Sequence, residues 1–165
     1  GYDIRANTFY DNDSITAVNI PKCVTAIGVY AFYSCDSLQL VSGCAGVVTV
    51  GGSAFKWCSS LQSVALGSAE EIGDGAFSNC IALTSLELPE TLKKIGSGAF
   101  NNCEKLTALE LPASLTEIGR GAFADCTAEL TYAGTVEEWQ AVTLSKDPFT
   151  DVTVTCTDET WTGKI

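Results

Sequence analysis

Residues 88–126 read LPETLKKIGSGAFNNCEKLTALELPASLTEIGRGAFADC, and the stretch nearly repeats itself. Leu-Pro, Ile-Gly and Ala-Phe-x-x-Cys each return after 23 residues: Leu88 to Leu111, Ile95 to Ile118, Phe100 to Phe123. Followed outward, the motif phenylalanines are Phe9, Phe32, Phe55, Phe77, Phe100 and Phe123, at intervals of 23, 23, 22, 23 and 23. Three residues after each stand Asn12, Cys35, Cys58, Cys80, Cys103 and Cys126, and five before stand Ile4, Ile27, Val50, Ile72, Ile95 and Ile118. A further column, nine after, holds Val18, Val41, Val64, Leu86 and Leu109. Independent columns that keep one phase are the mark of a repeat array. One such unit cannot bury its own apolar face, so the units must stack to make a continuous core.

Each unit has two extended pieces and a tight turn. The tail, as in Thr84-Ser85-Leu86-Glu87-Leu88, alternates polar and apolar with period two, which is a half-buried strand. Successive tails are reached by one full turn of the same coil, so they lie parallel. Pro21, Pro89 and Pro112 end these strands where no ladder donor is needed. The Ile-Gly segment reads as a second extended piece on the opposite wall. Ala-Phe-x-x-Cys is too short for a regular helix and reads as a helical turn, with the glycines as turn residues. The expectation is an α/β repeat solenoid, right-handed, with a short-stranded parallel inner sheet and more strand than helix. Six units of about 23 residues fill 1–134, the first incomplete, and 135–165 forms a cap. There Thr135-Val136-Glu137-Glu138 has the form of a capping box opening a helix over 136–142. Trp139 covers the last coil, 150–156 reads as a final strand, and Trp161 adds to the lid.

These units resemble the BspA-type leucine-rich repeats of bacterial and some protist surface proteins, from residue 4 to about 142, including the ending LTYAGTVEEWQAV. The resemblance implies a leucine-rich repeat arc that is extracellular or on the cell surface. It carries over no binding residue, because the matched positions are core. The pattern departs from itself at LGSAEEIG (66–73), which drops one residue and the proline, and at Gly43-Cys44, where other units have Ile/Leu-Pro. The chain starts inside a unit, and an uncapped solenoid end exposes apolar core; an upstream continuation is therefore expected.

Composition removes several function classes. The net charge is −11, from 20 acidic and 9 basic residues, and Lys93-Lys94 is the only adjacent basic pair. Nucleic acid and anionic membranes need clustered cations. No apolar run approaches a membrane span, and Gly1-Tyr2-Asp3 does not open a signal peptide. With no histidine in the chain, Ser-His-Asp and Cys-His nucleophile systems are excluded. The cysteines contain no C-x-x-C and have no histidine to complete a zinc site. Read by register, five of them form a column of buried free thiols behaving as small hydrophobes, where a serine would lack a partner for its hydroxyl. Cys23 and Cys44 lie two positions out of register, which disfavours a bridge. Asp147, Asp151, Asp158 and Glu159 lack calcium-loop spacing. No cofactor or metal is expected.

What remains is surface. Side chains between the core positions of the tails form one exposed array: Asn19, Ser42, Ala65, Glu87 and Glu110, flanked by Ala17, Leu40, Ser63, Ser85 and Ala108. Of these, Asn19, Ser42, Ser85, Glu87, Ala108 and Glu110 are the candidate binding residues. Glu87 and Glu110 are the best carboxylate pair for glycoside chemistry, yet nothing in the repeat builds a cleft around them. Trp57 occupies a column otherwise holding Asp11, Ser34, Asn79, Asn102 and Asp125, and is expected to be exposed on the outer side. The expected function is a non-enzymatic, monomeric module that binds another protein or mediates adhesion. The alternative is a structural spacer or accessory part of a larger surface protein, without a ligand of its own.

Overall fold

The Ile-Gly segments form one wall, and in its five central strands a buried branched residue is followed by glycine: Ile27-Gly28, Val50-Gly51, Ile72-Gly73, Ile95-Gly96 and Ile118-Gly119. Strands Tyr2–Ile4, Val24–Ile27, Thr49–Val50, Glu71–Ile72, Lys94–Ile95, Glu117–Ile118 and Thr143–Leu144 pair in parallel, in chain order, as one seven-stranded sheet. The register places Ile4, Ile27, Val50, Ile72, Ile95, Ile118 and Leu144 side by side. The following glycine is required by proximity. A Cβ on Gly28, Gly51, Gly73 or Gly96 would lie 2.5–2.7 Å from backbone of the preceding coil. Those glycines let neighbouring coils approach, which corrects their reading as turn residues. The computed structural model describes residues 1–145 and 151–164.

The tails form the opposite wall, but as two sheets. Ala17–Ile20, Leu40–Gly43, Ser63–Val64 and Ser85–Leu86 make a parallel four-stranded sheet. Ala108–Leu111, Glu129–Tyr132 and Asp151–Thr155 begin a second, closed by Thr160–Lys164 running antiparallel to Asp151–Thr155. The strand expected over 150–156 is therefore found at Asp151–Thr155, with Thr150 outside the described residues, and its antiparallel partner is an addition. The wall parts between Leu86 and Ala108, where Glu87 would sit beside Glu110. Like charges directly opposite each other disfavour pairing.

The third side of each coil is a turn, and it is not helical. Alternate amides donate to the next coil: Phe32 N–H to Ala54 O at 2.7 Å, Phe55 to Ala76 at 2.8 Å, Phe77 to Ala99 at 2.8 Å. The amides between them close four-residue turns, as Cys80 N–H does on Phe77 O at 3.1 Å. To alternate in this way the chain enters the left-handed region twice per coil. One position is Asn7, Tyr30, Ser53, Gly75, Gly98 and Gly121; the other is Asp11, Ser34, Trp57, Asn79, Asn102 and Asp125, all with φ between 53° and 67°. Among the described residues the only α-helix is Val136–Ala141, so the molecule is a β-solenoid of about six turns rather than an α/β arc.

The core is built of repeated columns. The phenylalanine rings stack at 5.0–5.5 Å between centroids along the array, within 4° of parallel after the first pair. Beside them runs the thiol column, and all eight cysteines are free. Its thiols have a partner that register alone did not reveal. Cys35, Cys58, Cys80 and Cys103 donate to the carbonyl oxygens of Phe9, Phe32, Phe55 and Phe77 in the preceding coil, at 3.0, 3.0, 3.1 and 3.3 Å. An acceptor for a serine hydroxyl is thus present, contrary to the expectation from sequence. Burial pushes the Cys80 thiol well up, Cys103 up to about 12 and Cys44 up to about 11.

At the C-terminal end Thr135 and Glu138 form the capping box, with Glu138 N–H donating to Thr135 Oγ1 at 3.2 Å. Trp139 is fully buried, its ring 5.2 Å from Tyr132 and 5.7 Å from Trp161.

Candidate functional site

Core columns are committed to packing, so any site must be sought on the walls. Ala17, Leu40, Ser63 and Ser85 are direct cross-strand partners, as are Asn19 and Ser42. Asn19 and Ser85 are exposed; Ser42 is half-buried with its hydroxyl 3.5 Å from the Val18 carbonyl. A trough crosses this sheet from Leu40 and Ser42 through Ser63 to Ser85, Glu87 and Glu90. It leads to the gap between the two sheets, where Leu86, Glu87, Leu88, Glu90, Glu110 and Pro112 line a cleft. The expectation that nothing encloses Glu87 and Glu110 is therefore overturned: the parting of the wall makes a recess, and Glu90 adds a third carboxylate.

The second sheet holds Ala108 and Glu110, both exposed, opposite Glu129 and Thr131. The six candidate residues thus fall in two groups: Asn19, Ser42 and Ser85 on one sheet, Ala108 and Glu110 on the other, with Glu87 at the seam. Glu90, Glu129 and Thr131 were missed. Glu129 and Thr131 were legible in Glu-Leu-Thr-Tyr (129–132), whose alternation continues the wall, but the sixth unit is two residues shorter after its phenylalanine (Phe123 to Leu130 against Phe100 to Leu109), which hid the alignment. Lys93 and Lys94 do not neutralise the recess: they pair with Glu70 at 2.7 Å and Glu117 at 3.5 Å, on the Ile-Gly side.

The other candidates separate cleanly. Trp57 is exposed on the turn wall, as expected. Asp158 accepts the Val136 amide at 2.9 Å and so serves the cap helix, while Asp147 lies outside the described residues. Among the described residues no helix is long and apolar enough to cross a membrane.

The family model for the BspA type leucine rich repeat region matches residues 2–132 in six copies. The chain belongs to this family. Solved leucine-rich repeat proteins share the fold. A T. pallidum leucine rich repeat protein is 28% identical with a TM-score of 0.75, over 93% of this chain and 66% of that one. A leucine rich cell surface protein from Faecalibacterium prausnitzii A2-165 is 29% identical with a TM-score of 0.63, over 79% of this chain and 42% of the other. A leucine-rich repeat protein from Bacteroides ovatus, at 24% identity, TM-score 0.64 and 88% coverage of this chain and 43% of its own, shares the fold. The BspA-type chain described here thus spans two thirds or less of the length of these relatives. No protein with a curated description matches it.

Proposed function

We propose that this BspA-type array is a non-enzymatic binding module, displayed outside the cell, that recognises a basic face of another protein through its tail-strand wall. The observation that carries this reading is the trough ending in a cleft with three glutamates, Glu87, Glu90 and Glu110. The wall offers neighbouring side chains about 5 Å apart over several strands, and repeat proteins generally bind on such extended surfaces. Small residues along the trough leave room for partner side chains, and the carboxylates at its end select lysine or arginine. One relative, from Faecalibacterium prausnitzii, is described as a cell surface protein, which supports the location.

The test is the association of a captured protein partner with wild type and with Glu87→Lys plus Glu110→Lys. The reversal should slow association about tenfold and flatten its salt dependence, since complementary charge acts mainly on the encounter rate. Both side chains are exposed, so the fold should stand. A partner indifferent to that reversal but lost on Trp57→Ala would place protein binding on the turn wall and refute this reading.

A further inference from the structure

The turn wall carries a feature the repeat does not require. In the column directly after the phenylalanines, the first three coils hold Tyr10, Tyr33 and Lys56, and the last three hold Ser78, Asn101 and Ala124. Tyr10 and Tyr33 stack at 4.9 Å and 4°, and Tyr30 meets Tyr33 edge-on at 5.5 Å and 74°. With Asn7, Ser53 and Lys56 these rings line an open recess. Tyr10 is 50% exposed and Tyr30 is 42% exposed, so neither ring is held there chiefly by the core.

Backbone conformation makes the same point independently. Tyr30 has φ 57°, at a position where the other coils have Asn7, Ser53, Gly75, Gly98 and Gly121. A bulky ring in the left-handed region is strained, whereas glycine and asparagine adopt it readily. Such strain at an exposed residue points to use of the side chain.

We infer that this recess binds an acidic oligosaccharide. None of its six lining side chains is aliphatic, so it offers no anchor pocket for a protein's leucine or valine. Tyrosine rings supply the flat faces and edges on which a pyranose ring packs. Three phenols, an amide, a hydroxyl and an ammonium converge around them, and no hydrogen bond from these side chains to protein occurs among the described residues. The one charged lining residue is Lys56, a cation that suits the carboxylate of a uronic or sialic acid. The phenylalanine rings of these three coils follow one another at 5.0 and 5.1 Å between centroids, so the recess above them runs roughly 10 Å, about a disaccharide.

The test is a printed glycan array bearing uronate- and sialate-containing chains alongside neutral ones, probed with labelled protein. Wild type should bind acidic chains; Tyr30→Asn with Tyr33→Ala should lower the signal at least about tenfold, and Lys56→Gln should lower it on acidic chains. Tyr30→Asn alone should leave the unfolding midpoint unchanged or raised, because asparagine relieves the strain, and should already lower glycan binding; that combination separates lost binding from lost fold. Failure to bind any glycan, or binding undiminished in the double variant, overturns the inference. Binding of neutral chains alone overturns the acidic assignment, and a protein ligand lost in the same variant while no glycan binds overturns the carbohydrate assignment. None of these outcomes bears on Glu87 and Glu110.

Discussion

Replacing Phe77 with alanine is expected to cost about 4 kcal/mol, the range for deleting a fully buried aromatic ring. Phe77 is wholly buried and stacked on both sides, at 5.3 Å to Phe55 and 5.5 Å to Phe100. Each neighbour would lose a face of contact, and the ring's volume could not be refilled. The coils above and below are held at fixed spacing by amide bonds such as Phe55 to Ala76 and Phe77 to Ala99, both 2.8 Å. The turns cannot collapse into the gap without breaking that ladder, so the cavity term should be near its maximum. Urea unfolding at neutral pH measures the effect. A cost under about 1 kcal/mol would mean that the rings are not a continuous packed column.

Stability is expected to fall above pH 9, with Cys103 alone accounting for about 1.4 kcal/mol at pH 10 and the other buried thiols adding in the same direction. The sign follows from the buried thiols. Cys103 is pushed up to about 12 and Cys44 up to about 11, against an ordinary value of 9.0, and Cys80 is raised well above it. Burial disfavours the thiolate first in all three; for Cys103 and Cys80 the next column thiol adds to it. A raised folded value gives stability that is complete below 9 and is lost as pH rises toward the folded value, because the unfolded chain ionises and the folded one does not. Near pH 10 Cys103 contributes about 1.4 kcal/mol of loss, and Cys44 and Cys80 add to it with the same sign. Urea unfolding at pH 7.5, 9 and 10 tests this, with Cys103→Ala as control: its loss above pH 9 should be shallower. A flat profile from pH 8 to 10 would contradict the burial of ionisable thiols.

The fold was legible because its determinants recur. Ile95 and Ile118, Phe100 and Phe123, or Cys80 and Cys103 each occupy equivalent environments, so one reading served six coils. Thr135 and Glu138 announced the cap helix through local chemistry alone. The turn was misread because Ala-Phe-x-x-Cys has helical spacing. What rules out a helix is the alternation of amides between coils, which needs left-handed residues at Tyr30 or Trp57 where sequence would not place them. The thiol-to-carbonyl bonds were hidden for a related reason. The acceptor of Cys80 is Phe55, 25 residues away, and is visible only once the coils are stacked.

The exposed walls were legible only in part, because surface positions are free of the packing that enforces the repeat. Glu87 and Glu110 were found by column. The recess between them arises from strands failing to pair, which no column records. Tyr10, Tyr30 and Tyr33 are visible in the sequence, but their meeting in one recess depends on the left-handed turns and the stacking of coils, neither of which a column shows.

The assignment of each column to the core or to the walls underlies every inference about surface, and counting free thiols tests it most directly. Without reductant, native protein at neutral pH should react with a thiol reagent rapidly at Cys23 alone, which is exposed, and more slowly at the half-buried Cys126. In denaturant all eight cysteines should react. A native protein in which Cys58, Cys80 or Cys103 reacts as fast as Cys23, or a denatured protein with almost no free thiol, would contradict the stacked-coil core.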